Sequence, residues 1–164
     1  MTNDSFDANK KQNKQEKSDN MNNNVTAEKK FPDYYNKCTK KCPPEDATIN
    51  SKLLTPIITA YRLCQDTTPR ESDFHSKHLQ DIAEGKMPNL NDPNQFSVSI
   101  FATKEAALKM RARHKHLLDN YKSLAIGVIK DSGGVIKKTG GPEHYDWWSY
   151  EDEKPHEYFN YKQL

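Results

Sequence analysis

Cysteine is scarce. The chain carries three, Cys38, Cys42 and Cys64. An odd count at this density excludes a disulfide-stapled scaffold and fits a reducing, cytoplasmic setting. The first residues lack the apolar core of a secretory leader, and Asp4, Asp7, Glu16 and Asp19 spoil an amphipathic transit peptide. No run approaches the roughly 18 apolar residues of a membrane span, which excludes an integral membrane protein. An excess of one charge is missing too. Lys and Arg number 25 against 23 Asp and Glu, a net of +2. That balance argues against a protein held on nucleic acid by bulk electrostatics. Apolar residues make up only 34% of the chain. A globular domain runs nearer ~45%, so part of the chain is expected not to fold. The 164 residues leave room for one domain.

The segment expected to stay unfolded is the first one. Asn, Lys, Gln and Asp dominate as far as Lys30, and Asn20-Met21-Asn22-Asn23-Asn24 has nothing to bury. Such a stretch cannot offset the entropy of ordering. Residues 1–32 therefore read as a disordered polar tail and 33–164 as one folded domain. Cys38 and Cys42 stand four apart, and His75 and His78 three apart, which are zinc-type donors. Pro43-Pro44 and the order of the flanks do not suit a zinc finger, so no metal is expected. The cysteines read as free thiols, one of them buried in a strand.

From Pro56 onward the pattern becomes structural. Pro56 to Cys64 is β-branched and apolar, as in a buried strand. Thr68-Pro69-Arg70-Glu71 predicts a helix start, with Phe74, His78, Leu79 and Ile82 on the helix and Gly85 at its end. A second strand is expected over Phe96 to Phe101, and Thr103 caps a helix running to about His114. A third strand follows over Leu124 to Ile129. Asp131-Ser132-Gly133-Gly134 then predicts a hairpin into a fourth strand at Val135-Ile136. His144 to Trp148 is the fifth, and Tyr158 to Tyr161 closes the chain as an edge strand or short helix. Strand–helix alternation gives way to a meander. The expectation is α+β, with two main helices on a mixed or mainly antiparallel sheet.

Three groups of residues carry candidate chemistry. Tyr61-Arg62 lies on the first strand, Phe96-Ser97-Val98-Ser99 on the second with Ala106-Ala107 on the helix beyond, and Glu143 or Glu151 and Glu153 near the last strands. In this order and spacing they resemble the arginine-type ADP-ribosyltransferases over Tyr61 to Glu153. The resemblance implies that Arg62 grips a phosphate of NAD beside Tyr61. It implies that Ser97 and Ser99 shape the nicotinamide pocket. It also implies that Glu153 or Glu143 stabilises the oxocarbenium-like centre and orients a macromolecular acceptor, in an enzyme of the toxin or conflict type. A guanidinium suits a pyrophosphate, and a carboxylate favours a positive transition state.

The second group is aromatic: His144, Tyr145, Trp147 and Trp148. Strand alternation sends the two tryptophans to opposite faces, so one is expected in the core and the other on a groove. This gives an alternative, a non-catalytic domain whose Trp/Tyr-lined groove takes a protein or nucleotide partner. The third group is the basic run Arg111, Arg113, His114, Lys115 and His116. With His144 it would suit a small nuclease or nucleic-acid binder. Cations at a helix C-terminus account for most of it without a ligand.

Overall fold

A computed structural model describes residues 28–164. The expected disorder of the first residues lies outside that range. The end of the expected tail is inside it and packs: Phe31 lies tilted against Tyr150 with ring centroids 4.7 Å apart, and the Lys30 carbonyl accepts from the Glu151 amide at 2.9 Å.

Within these residues six strands form one sheet: β1 (Ala60–Cys64), β2 (Val98–Phe101), β3 (Ser123–Gly127), β4 (Gly134–Lys138), β5 (His144–Ser149) and β6 (Asn160–Gln163). Their spatial order is β4-β5-β2-β1-β3-β6, and every neighbouring pair is antiparallel. Among the described residues three α-helices accompany them: α1 (Lys77–Ala83), α2 (Lys104–Arg113) and α3 (Lys115–Asn120). The chain is α+β, with an antiparallel sheet. Among the described residues no helix is long and apolar enough to cross a membrane.

Caps explain several boundaries. Thr103 accepts from the Ala106 amide and starts α2, as its sequence position predicts. Thr68-Pro69 does not start a long helix. Glu71–Phe74 forms a 3-10 turn instead, and Ser76, whose hydroxyl accepts from the Leu79 amide, caps α1. Gly85 ends that helix at a φ of 69°.

The expected hairpin between the third and fourth strands is not formed. β4 lies at one edge of the sheet and β3 next to the other edge. The Asp131–Gly133 turn instead launches a crossover, with Gly134 at a φ of 141°. A Cβ at Gly134 would meet the Trp148 carbonyl oxygen at 2.2 Å, so glycine serves close packing against β5. Local turn chemistry cannot tell a hairpin from a crossover, because partner choice is decided by which strands bury each other's faces. The tight hairpin joins β4 to β5.

The two central strands barely pair. β1 and β2 share a single register pair, Tyr61↔Phe101, while β1 runs against β3 from Ala60 to Cys64. The sheet is therefore two three-stranded halves hinged at Tyr61. One face packs Ala60, Ile100, Ala125, Ile136 and Trp147 under Phe74 and Phe159. On the other face Leu63, Phe101 and Leu124 lie under Ala107 of α2. Trp148 packs there too, against Tyr35 and Phe96.

Trp147 and Trp148 do face opposite sides, but both are fully buried. Neither is the half-exposed groove residue expected: Tyr35 and Phe96 cover Trp148, and Trp147 has no exposed surface although it borders a cavity. Replacing either tryptophan by Ala should cost about 3–5 kcal/mol. Chemical denaturation of both variants checks this, with comparable losses expected.

His78 is almost fully buried, and neither ring nitrogen has a partner among the described residues. It is sandwiched between Tyr34, with centroids 5.7 Å apart, and Phe96 at 4.4 Å. Burial holds its pKa below the ordinary imidazole value, helped by the Lys37 charge and opposed by Asp81. The unfolded chain takes the proton first, so stability is complete above about pH 6.5 and falls as pH drops towards the folded value. Thermal melts at pH 7 and about pH 5.5, above most carboxylate titration, should show this loss in the native chain and much less of it in His78→Phe.

Candidate functional site

Past Tyr61↔Phe101 the two halves of the sheet splay, and Arg62 fills the opening. Its Nε donates to the Asp73 carbonyl and its Nη1 to the Ser99 carbonyl, both at 2.9 Å. The Ser99 bond binds β2 to β1 through a side chain where the backbone ladder has stopped. Asp73 is fixed in turn, since its carboxylate accepts from the Tyr161 hydroxyl at 2.8 Å and from the Arg70 amide at 3.1 Å. Arg62 is only 9% exposed, and no ion pair among the described residues includes it. Nη2 makes no hydrogen bond within them either. A buried cation with only neutral partners is electrostatically unfinished, and an anion would complete it.

Arg62 borders a cleft of about 590 Å³ on the α2 and α3 side of the sheet. Ser97 lines it from the residue just before β2, Ser99 from β2, His144 and Asp146 from β5, and Lys77 from the start of α1. The β2–β5 register sets Ser99 opposite Asp146. Asp146 is buried, and both carboxylate oxygens are engaged. Ser97 Oγ lies 2.6 Å from Oδ1, and Thr139 Oγ1 lies 2.6 Å from Oδ2. Ser97 Oγ is also 2.8 Å from the Asn94 carbonyl, so its single hydrogen is shared. His144 Nδ1 stands 3.0 Å from Thr139 Oγ1 and 3.1 Å from the Thr139 carbonyl. One hydrogen-bonded chain thus runs from Ser97 through Asp146 and Thr139 to His144.

Of the residues singled out in the sequence, Arg62, Ser97, Ser99 and His144 meet in this cleft. The two glutamates do not. Glu143 lies just before β5 and lines smaller hollows beside α2. Glu153 accepts from the Tyr158 hydroxyl beside Gly133 and lines a separate cavity with Trp147 and His156. The acidic group of the cleft is Asp146, which the sequence reading passed over in favour of glutamates. Its one signal was strand alternation, which puts it on the same face as His144.

Tyr61 sides with the α2 layer rather than with Arg62. Tyr145 is buried in the opposite core, and neither tryptophan reaches a surface. Arg111 is spoken for, with its Nε on the Tyr121 carbonyl at 2.9 Å and its Nη2 on the Leu118 carbonyl at 3.2 Å, which closes the end of α3.

All three cysteines are free thiols. Burial pushes Cys64 up to about 11 and Cys42 up to about 12, so both stay protonated and unreactive. Among the described residues no three His, Cys, Asp or Glu side chains are grouped to hold a metal. No family model, no curated protein and no solved structure matches this chain.

Proposed function

We propose that the protein is an ADP-ribosyltransferase-like enzyme that uses NAD to modify a macromolecular acceptor. One observation carries this reading: Arg62, Ser97 and Ser99 line the same cleft as a buried carboxylate, that of Asp146. The cleft has the size of a small-ligand pocket, within the usual ~300–1,000 Å³. Arg62 keeps its Nη2 edge for a phosphate, which would supply the missing counter-charge. Ser99 on β2 and Ser97 just before it form the wall where the resemblance puts nicotinamide. Asp146 takes the part that the resemblance gives to Glu143 or Glu153. Its negative charge, held in place by Ser97 and Thr139, favours a positive oxocarbenium-like centre without reorganising. Neither the Trp-groove alternative nor the nucleic-acid alternative has a feature of this kind, since the tryptophans are buried and Arg111 caps a helix.

Calorimetry with NAD and an assay of nicotinamide release test the proposal. Asp146→Asn keeps the side chain's shape and removes its charge. It should leave NAD affinity within about threefold of the native value and lower release by ~100-fold or more, because the charge acts mainly in the transition state. Arg62→Lys should weaken binding by about 1.5–3 kcal/mol, with folding verified by circular dichroism. A folded native chain that takes up no NAD at millimolar concentration would falsify the reading.

A further inference from the structure

We infer that His144 is the proton acceptor of this cleft, that Thr139 is the residue positioning it, and that the transferase acceptor is therefore a nucleophile bearing a proton on its attacking atom. This rests on the transferase reading above. It begins from His144 Nδ1, which lies 3.1 Å from the Thr139 backbone carbonyl. A carbonyl only accepts, so Nδ1 carries the hydrogen. The Thr139 hydroxyl gives its own hydrogen to Asp146 Oδ2, 2.6 Å away, and offers Nδ1 a lone pair at 3.0 Å. Both contacts set the neutral ring in one tautomer, with the free lone pair on Nε2.

Nε2 has no hydrogen-bond partner among the described residues and is not one of their buried unpartnered atoms. It is a base open to a ligand. The ring is also held in place. Phe101 meets it edge-on with centroids 5.2 Å apart, and the Thr139 amide donates to the His144 carbonyl at 3.0 Å across the β4–β5 hairpin. The next residue, Gly140, has a φ of 60°, and a Cβ there would stand 3.3 Å from Nδ1. The turn is shaped to leave room for the imidazole.

The chemistry follows from that lone pair. As the acceptor's oxygen or nitrogen bonds to the ribose carbon, the bond from that carbon to nicotinamide breaks, and its electron pair leaves with nicotinamide. The attacking atom gives up its proton to Nε2. Asp146, two hydrogen bonds away through the Thr139 hydroxyl, balances the imidazolium that forms. A carboxylate acceptor has no such proton and gains nothing from His144. Water has one, so hydrolysis of NAD reports on the same step with no protein acceptor needed.

Two measurements on the full chain decide the matter. The first needs no ligand. Histidine-ring ¹H–¹⁵N spectra recorded above the imidazole titration, with His144 assigned by the signal lost in His144→Gln, should show the Nδ1-protonated tautomer. Thr139→Val should shift it towards a mixture, and Thr139→Ser should keep it. A ring protonated at Nε2 overturns the proposal whatever NAD does.

The second is nicotinamide release with water as acceptor. His144→Ala should bind NAD within about threefold of the native chain yet release nicotinamide ~100-fold or more slowly, and added imidazole should restore part of the rate. Release at the native rate, or a loss that imidazole does not rescue, overturns the proposal while the transferase reading stands. A native chain that takes up no NAD overturns that reading, and the acceptor role falls with it.

Discussion

The guanidinium of Arg62 joins the two halves of this protein. β1 and β2 are the central strands, yet their ladder is a single register pair at Tyr61↔Phe101. Beyond it the Ser99 carbonyl is taken by Arg62 rather than by a β1 amide, and Arg62 is held in turn by the Asp73 carbonyl. Asp73 ties to β6 through Tyr161. A backbone ladder would close the sheet and leave no cleft. A long cationic side chain holds the strands together while keeping them apart, and the space it props open is the candidate site. Among the described residues the same side chain has no carboxylate paired with its charge. Structural strut and candidate anion-binding group are one side chain.

The polar chain across the cleft depends on that opening. Ser97, Asp146, Thr139 and His144 come from the residue before β2, from β5 and from the β4–β5 turn, and each contacts the next. Asp146 is buried and charged, which is costly unless its oxygens are satisfied. Ser97 and Thr139 satisfy them. The Thr139 hydroxyl also meets the imidazole, so a fixed carboxylate and a fixed imidazole stand in one wall. Around this polar seam the core is conventional. Trp147 and Trp148 fill the two faces of β5, and the N-terminal segment from Phe31 to Tyr35 is part of the second core rather than of a tail.

Much of the local structure could be read from the residues. Thr103 capped its helix, Gly85 ended another, and alternation sent Trp147 and Trp148 to opposite faces. Where the expectation failed, the information was non-local. Asp131-Ser132-Gly133-Gly134 has the residues of a hairpin, yet the strand that pairs with β4 is β5. The groove expected at a tryptophan was filled by Tyr35 and Phe96, which are 113 and 52 residues away along the chain by their numbering. Asp146 looked like an ordinary strand residue beside conspicuous glutamates, and Thr139 like a loop residue, until the sheet set them against Ser97 and His144.

The sequence by itself determined the class of the fold, because hydrophobic periodicity, caps and helix stops act within a few residues of their cause. It also supplied Arg62, Ser97, Ser99 and His144 as chemically apt side chains. Only the tertiary structure decided that β1 and β2 part after one pair, that Arg62 fills the gap, and that Asp146 rather than Glu143 or Glu153 is the carboxylate facing it. Those outcomes depend on strand order and register, which follow from burying both faces of the sheet at once. No single stretch of chain encodes that condition.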